Sequence, residues 1–151
     1  MFTSKDKLFM KRAINLAMES FAEDEVPVGA VIVKDQKIIG EGKNKVVSKN
    51  DVSAHAEINA IRDASNSIKN YRLNECLMYV TLEPCHMCAK AAVDARLGSI
   101  IFAALEPKTG SIVSIDNFLD KNILNHSVNY QYGLMGKESS KLLKEFFQIR
   151  R

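Results

Sequence analysis

Two short segments of the sequence constrain the fold most, because together they carry one imidazole, two thiols and one carboxylate. The first contains His55 and Glu57 in an H-x-E pattern, and the second contains Pro84, Cys85 and Cys88 in a P-C-x-x-C pattern. Zinc binds imidazole nitrogen and thiolate sulfur in tetrahedral geometry, and a catalytic zinc site keeps its fourth position for water. The fold therefore has to bring the two segments together, with His55, Cys85 and Cys88 as the predicted ligands of one Zn²⁺ ion.

Glu57 is not needed as a ligand, and its predicted role is to move protons beside the metal. It lies two residues after His55, and on a regular helix the two side chains would point in nearly opposite directions. We therefore expect both residues at the mouth of a helix. Cys85 and Cys88 share one face at the start of another predicted helix, where the positive helix N-terminus favours thiolates.

The individual motifs also allow other interpretations. A C-x-x-C pattern by itself is typical of redox sites and of structural zinc knuckles as well. A structural zinc site would need a fourth ligand, and the spare histidines and cysteines are Cys76, His86 and His126. We expect Cys76 to be a small buried residue, His86 to point away from the metal, and His126 to be a surface or hydrogen-bonded histidine.

The composition is that of an ordinary globular protein. The 151 residues, 46% hydrophobic and 26% charged, fit one domain that spans residues 1–151. A net charge of +3 permits an RNA partner but supports one only weakly. The N-terminus does not resemble a secretory signal, and no apolar run approaches the ~20 residues of a membrane span. We therefore expect a cytoplasmic protein without a membrane partner.

Hydrophobic periodicity predicts a helix, a hairpin, and then alternating helices and strands. The predicted helices cover residues 4–22, 54–68, 88–97 and 138–150, and the predicted strands cover residues 26–33, 38–42, 77–82, 99–105 and 128–132. In the last helix the predicted inner side carries Leu142, Leu143, Phe146 and Phe147. This order indicates an α/β fold with a mixed five-stranded sheet that carries helices on both faces. Ser53 is the predicted N-cap of the second helix, Gly98 is the predicted end of the third, and Gly29 marks a predicted close approach of a ligand or another backbone.

Around these motifs the sequence resembles the cytidine-deaminase-like zinc deaminases, and among them the bacterial tRNA adenosine deaminases. The resemblance spans almost the whole chain and rests on the segments Glu25–Ala30, Ala54–Ile58, Leu77–Cys88, Lys108–Gly110, Asn125–His126 and Phe146–Arg151. It implies a three-layer α/β/α fold. It also implies a homodimer, with one zinc ion per subunit, that converts adenosine to inosine at the wobble position of a tRNA anticodon.

The resemblance further implies roles for individual residues. His55, Cys85 and Cys88 would bind zinc, and Glu57 would be the proton shuttle of a hydrolytic deamination. The anticodon stem-loop of the tRNA would be the bound partner. The implied substrate-binding residues are Val28, Asn44, Ala56, Glu106, Lys108 and Phe147.

Two positions depart from the family pattern. Glu106 stands where the family usually has Asp, so the carboxylate is one methylene further from the backbone. His86 follows the first zinc cysteine, where a small or apolar residue is usual. Its effect is either nil or a contact with substrate.

Two other functions stay open at this point. One is a deaminase of a free base or nucleoside, such as guanine, cytosine or cytidine, because the zinc motif performs the same chemistry on each. The other is a non-catalytic, zinc-stabilised RNA-binding module, which would have four protein ligands and no need of Glu57.

Overall fold

A five-stranded mixed sheet, in the order β2-β1-β3-β4-β5, forms the centre of the computed structural model, which describes residues 1–150. The strands are β1 Gly29–Lys34, β2 Lys37–Lys43, β3 Leu77–Leu82, β4 Ser99–Ala104 and β5 Asn129–Tyr132. Strand β1 runs antiparallel to β2 and β3, whereas β3, β4 and β5 are parallel. The predicted mixed five-stranded sheet is confirmed.

Helices cover both faces of this sheet. They are α1 Ser4–Ala22, α2 Val46–Lys49, α3 Ala56–Ile68, α4 His86–Asp94 and α5 Gly136–Ile149, with a 3-10 turn at Phe118–Asp120. Successive strand residues point to opposite faces, so Ala30 and Ile32 of β1 pack with α3 and α4, whereas Val31 and Val33 pack with α1. Helix α5 lies on the α1 side. No helix within residues 1–150 has both the length and the apolar character needed to cross a membrane.

The start of the sheet differs from the sequence prediction. Strand β1 begins at Gly29 instead of residue 26, because the Val28 N–H donates to the Val26 carbonyl at 2.9 Å and forms a tight turn. The predicted close approach at Gly29 is one between backbones, since a Cβ there would run into the Ala13 carbonyl of α1. The hairpin turn at Asp35 and Gln36 has positive φ at both residues, which matches the twist of the two strands.

The N-caps of α3 and α4 are site residues, His55 and Cys85. Both helices begin two residues away from their predicted starts. The N-cap of α3 is His55, and the prediction of Ser53 is wrong because its N–H and hydroxyl both donate to the Asp51 carboxylate, at 2.9 and 2.7 Å. Helix α4 ends at Asp94 instead of residue 97. The left-handed residue after it is Arg96, with φ 64°, and Gly98 already leads into β4.

One edge of the sheet collects the ends of several elements. The parallel strands β3 and β4 end there, at Leu82 and Ala104. Because β1 is antiparallel to both of its neighbours, β1 begins and β2 ends at the same edge. In α/β sheets, ligands bind beyond the carboxyl ends of the parallel strands. This edge is therefore the expected location of a site.

Candidate active site

The two metal-binding segments meet at this edge. The Nδ1 atom of His55 is 3.7 Å from the Cys85 Sγ and 3.5 Å from the Cys88 Sγ, and all three donor atoms lie within 4.8 Å of one another. In a tetrahedral zinc site, with bonds of about 2.0–2.1 Å to nitrogen and 2.3 Å to sulfur, nitrogen and sulfur ligands are about 3.6 Å apart. The donor set and its spacing therefore fit a metal site consistent with zinc.

Two helix N-termini point at this cluster. His55 is the N-cap of α3, Cys85 is the N-cap of α4, and Cys88 follows within the first turn of α4. The positive ends of both helices favour thiolate over thiol. A hydrogen bond from the Cys88 thiol, supported by His55, lowers the pKa of Cys85 to about 4. Cys85 is therefore predisposed to bind a cation as the thiolate.

Glu57 lies beside the cluster in the first turn of α3. The expected position at a helix mouth is confirmed: the His55 backbone is extended, with φ −68° and ψ 154°, so the angular spacing of a regular helix does not separate the two side chains. Glu57 is only 4% exposed, and this burial raises the pKa of its carboxyl to about 6. A carboxyl group with this pKa can both take up and release a proton near neutral pH.

A cavity of about 510 Å³ opens at the cluster, which is a typical volume for a small-molecule site. Its lining includes His55, Glu57 and Cys85, together with three of the residues predicted to bind substrate, namely Val28, Asn44 and Ala56. Further wall residues include Leu82, Thr109, Phe146 and Arg150. The wall is thus largely apolar, with a few polar groups and the metal donors at one end.

Asn44 combines a structural role with its position in the wall. Its side-chain Nδ2 donates to the Val26 carbonyl at 3.2 Å, and its Oδ1 accepts from the Val46 N–H at 3.2 Å. One amide hydrogen and one lone pair are left for another partner. Asn44 therefore links the turn before β1 to α2 and can still contact a ligand.

The other predicted substrate-binding residues lie outside the cavity lining. The Glu106 carboxylate accepts from the Lys108 N–H at 3.0 Å, the Lys108 side chain is exposed, and the wall position nearby belongs to Thr109. Phe147 is 49% exposed, so the prediction that it lies on the inner side of the last helix is wrong. Phe146 faces inward instead and packs edge-on against Phe21. Arg151 lies outside the described residues.

The spare histidines and cysteine are occupied elsewhere. The exposed His86 ring pairs with Asp116, the His126 ring bonds the Leu97 carbonyl, and Cys76 is fully buried just before the start of β3. The three predictions for these residues are confirmed. Among residues 1–150, the cluster therefore has three protein donors and no fourth histidine or cysteine.

Two buried glutamates, neither of which is predicted above to have a role, hold the loops around the cavity. The Glu25 carboxylate accepts from the N–H groups of Val47 and Ser48, at 3.0 and 2.7 Å, and so fixes α2. The Glu83 carboxylate does the same for the loop after β4. Burial would raise the pKa of each glutamate, but these hydrogen bonds outweigh it and lower both pKa values. The only sequence feature that could have indicated these buried glutamates is an acidic residue beside an apolar, proline-containing stretch.

Comparison with known proteins identifies the relatives of this chain. The model of the MafB19-like deaminase family matches residues 3–151. A tRNA-specific adenosine deaminase of Aquifex aeolicus is 45% identical over 140 residues, covering 93% of this chain and 92% of that protein. A tRNA-specific adenosine deaminase of Haemophilus influenzae is 44% identical over 147 residues, covering 97% and 85%.

A solved structure shares the fold. It comes from a study of A-to-I editing by tRNA:A34 deaminases at the wobble position of transfer RNA. The two chains superpose with a TM-score of 0.88 and 39% identity, over 90% of this chain and 99% of the other. The three-layer cytidine-deaminase-like architecture expected from the sequence is thereby confirmed.

Proposed function

This chain belongs to the tRNA-specific adenosine deaminases and to the MafB19-like deaminase family, and we propose that it converts adenosine to inosine at the wobble position of a tRNA anticodon. The observation that carries the proposal is the meeting of three metal donors and one buried, non-ligating carboxylate at a cavity that His55, Glu57 and Cys85 line. Hydrolytic deamination needs an activated water and a group that moves protons at the ring and at the departing amine. The cavity offers the residues for both.

The metal in this proposal is Zn²⁺, with one ion per subunit held by His55, Cys85 and Cys88. One imidazole and two thiolates form a soft donor set, which selects zinc over magnesium or calcium. When bound with three protein ligands, zinc supplies a water whose pKa is lowered to about 7.

Glu57 is the proposed proton shuttle. Its carboxylate takes a proton from the attacking water and delivers it to N1 of adenine, which makes C6 more electrophilic. As the C6–O bond forms, Glu57 takes the remaining proton from the new C6 hydroxyl and gives it to the amino group. The C6–N bond then breaks, ammonia leaves, and the oxygen stays on C6 as the carbonyl of inosine. Burial of Glu57 and its pKa near 6 support both steps, because the group accepts and gives up protons with little cost near neutral pH.

The base is held by the cavity wall. Val28 and Ala56 provide apolar surface, and the free hydrogen and lone pair of the Asn44 amide provide a polar contact. An adenine inside a duplex cannot reach such a cavity, so the substrate nucleotide has to be unstacked. A single-stranded anticodon loop satisfies this requirement.

The rest of the stem-loop is proposed to lie against Glu106, Lys108 and Phe147. Lys108 and Phe147 are exposed, and each precedes or follows a residue of the cavity wall, Thr109 and Phe146 respectively. They are thus close to the mouth and free to contact RNA. On the family resemblance we further propose a homodimer, a cytoplasmic location and a single domain over residues 1–151.

Incubation with bulk tRNA tests the proposal. We expect inosine to appear at the wobble position of tRNA, as detected by nucleoside mass spectrometry and by sequencing of the treated RNA. Free guanine, cytosine and cytidine at equal concentration should be turned over far more slowly. Rapid deamination of one of these, with no inosine in tRNA, would transfer the assignment to a free-base or nucleoside deaminase.

A non-catalytic zinc module is less well supported. It needs a closed shell of four protein ligands, and within residues 1–150 the cluster has three. It also offers no reason for a carboxylate to be buried beside the donors.

A further inference from the structure

Residues 106–114, which we call the rim segment, form turns without a helix or strand, yet they complete the cavity. Thr109 is part of the wall, and Glu106 and Lys108 lie just outside it. Such a segment has no hydrogen-bond ladder of its own to fix its position. Its position must therefore come from contacts with another part of the chain.

Glu83 makes these contacts. Its Oε2 accepts from three successive backbone N–H groups, those of Ile112, Val113 and Ser114, at 3.0, 2.7 and 2.9 Å. Its Oε1 accepts from the Glu106 N–H at 3.0 Å and from the Ser114 hydroxyl. Successive N–H groups form a concavity suited to an anion. Here the chain fills that concavity with its own carboxylate, which is 2% exposed.

Two neighbouring contacts bind the same segment to the residues just before the metal cluster. The Ser111 N–H and hydroxyl both donate to the Pro84 carbonyl, at 2.9 and 3.3 Å. At Gly110, a Cβ would overlap the Glu83 carboxylate, so only glycine lets the segment approach this closely. The rim segment is thus attached to Glu83 and Pro84, directly before Cys85.

We propose that Glu83 is a positioning residue that holds the rim segment against the metal end of the cavity, and so determines how well a nucleotide within RNA is bound. The inference rests on the proposed function. Glu83 does not move protons or bind metal; it acts through Thr109, Lys108 and Glu106. Losing its contacts weakens binding of the stem-loop while the donor cluster and Glu57 stay in place.

Glu83→Gln tests this with a side chain of the same size. One carboxylate oxygen becomes an NH₂ group, which cannot accept a hydrogen bond and faces backbone donors. Glu41→Gln is the matched control, because the Glu41 carboxylate binds Arg12 at 2.6 and 2.8 Å on β2, away from the cavity lining. Gly110→Ala disturbs the contact between Glu83 and the rim segment by a change in the segment itself. This variant tests the positioning role if Glu83→Gln does not fold.

Kinetics with an anticodon stem-loop give the first measurement. In the zinc-loaded Glu83→Gln variant we expect KM to rise about tenfold with kcat changed less than about threefold, because interactions with remote parts of a substrate contribute to binding. Zinc content should equal that of the parent, and Glu41→Gln should keep the parent KM. An unchanged KM, or a fall in kcat alone, would overturn the proposal.

Hydrogen exchange gives a second measurement that does not depend on the proposed function. Amides of residues 112–114 should exchange at least about tenfold faster in Glu83→Gln and in Gly110→Ala than in Glu41→Gln, since charge-assisted hydrogen bonds protect them. Unchanged protection would contradict the positioning role. If the parent forms no inosine but the exchange result holds, the proposed function fails while Glu83 still positions the segment.

Discussion

The metal end of the cavity is positioned by regular secondary structure. The rim of the cavity, which consists of α2 and the rim segment, is positioned by two buried carboxylates, those of Glu25 and Glu83. His55 and Cys85 are N-caps of helices that pack along their length against the sheet. Helix α2 and the rim segment have few hydrogen bonds of their own, and they depend on Glu25 and Glu83. The two regions line one cavity, but helix packing positions the first and side-chain hydrogen bonds position the second.

Because the two regions are positioned independently, we expect substitutions to affect either the chemical step or substrate binding, according to the region in which they lie. Changes at the metal end should abolish the reaction without loosening the rim, and changes at the rim should alter binding without removing the metal. Where the rim segment presents only a backbone N–H to Glu83, as at Glu106 and Ile112, the side chain is free to vary, whereas Gly110 has to be glycine. The departure at Glu106 fits this view: its backbone N–H is held by Glu83 whatever its side chain is.

The largest expected effect comes from removing a metal donor. In Cys85→Ala, zinc content should fall to background and the rate of inosine formation should drop at least about a thousandfold, because several kcal/mol of barrier lowering are lost. Zinc is measured by atomic absorption on dialysed protein. Cys76→Ala is the control, since that fully buried thiol lies outside the cluster. Full zinc content in Cys85→Ala would contradict the ligand assignment.

A smaller effect is expected at Phe146, an apolar residue of the cavity wall. Phe146 is 3% exposed, packs against Phe21, and has the Arg150 guanidinium 3.5 Å above its ring. Phe146→Ala should lower the free energy of unfolding by about 3 kcal/mol, as is typical of buried aromatic truncations. Denaturant titration measures this. A loss under about 1 kcal/mol would mean that the wall does not depend on this ring.

The smallest effect is expected one residue further on. Phe147 is half exposed, so Phe147→Ala should change stability by less than about 0.5 kcal/mol. If its ring stacks on RNA, KM for the stem-loop should rise about fivefold, because base–aromatic stacking is worth about 1 kcal/mol or more. Parent KM in this variant would remove Phe147 from the RNA contacts.

The metal end could be predicted from sequence because its residue types and spacing state its chemistry. One imidazole, two thiols three residues apart and one carboxylate leave few arrangements that bind zinc and keep a position for water. The order of helices and strands then implied the mixed sheet, and that sheet explains why Val28 and Asn44 meet the cluster: antiparallel β1 and β2 bring them to the edge where β3 ends.

The rim could not be predicted because its contacts join distant parts of the chain. Helix α2 has only four residues, too few to signal a helix, and it depends on a carboxylate 22 residues away from its Val47. In the sequence, Glu83 stands directly before the P-C-x-x-C motif, and nothing there indicates that its hydrogen-bond partners lie at residues 106–114. The exposure of Phe147 and burial of Phe146 likewise depend on how α5 rotates against α1.

Glu57→Ala, with zinc content and inosine formation measured on the same preparation, tests the central claim most directly. The account predicts parent zinc content, because Glu57 is not one of the three donors. It predicts inosine formation at least about a hundredfold slower, the usual contribution of a positioned proton shuttle. Glu41→Ala serves as the control for loss of a glutamate. Zinc-loaded Glu57→Ala that edits tRNA within about tenfold of the parent rate would contradict the account.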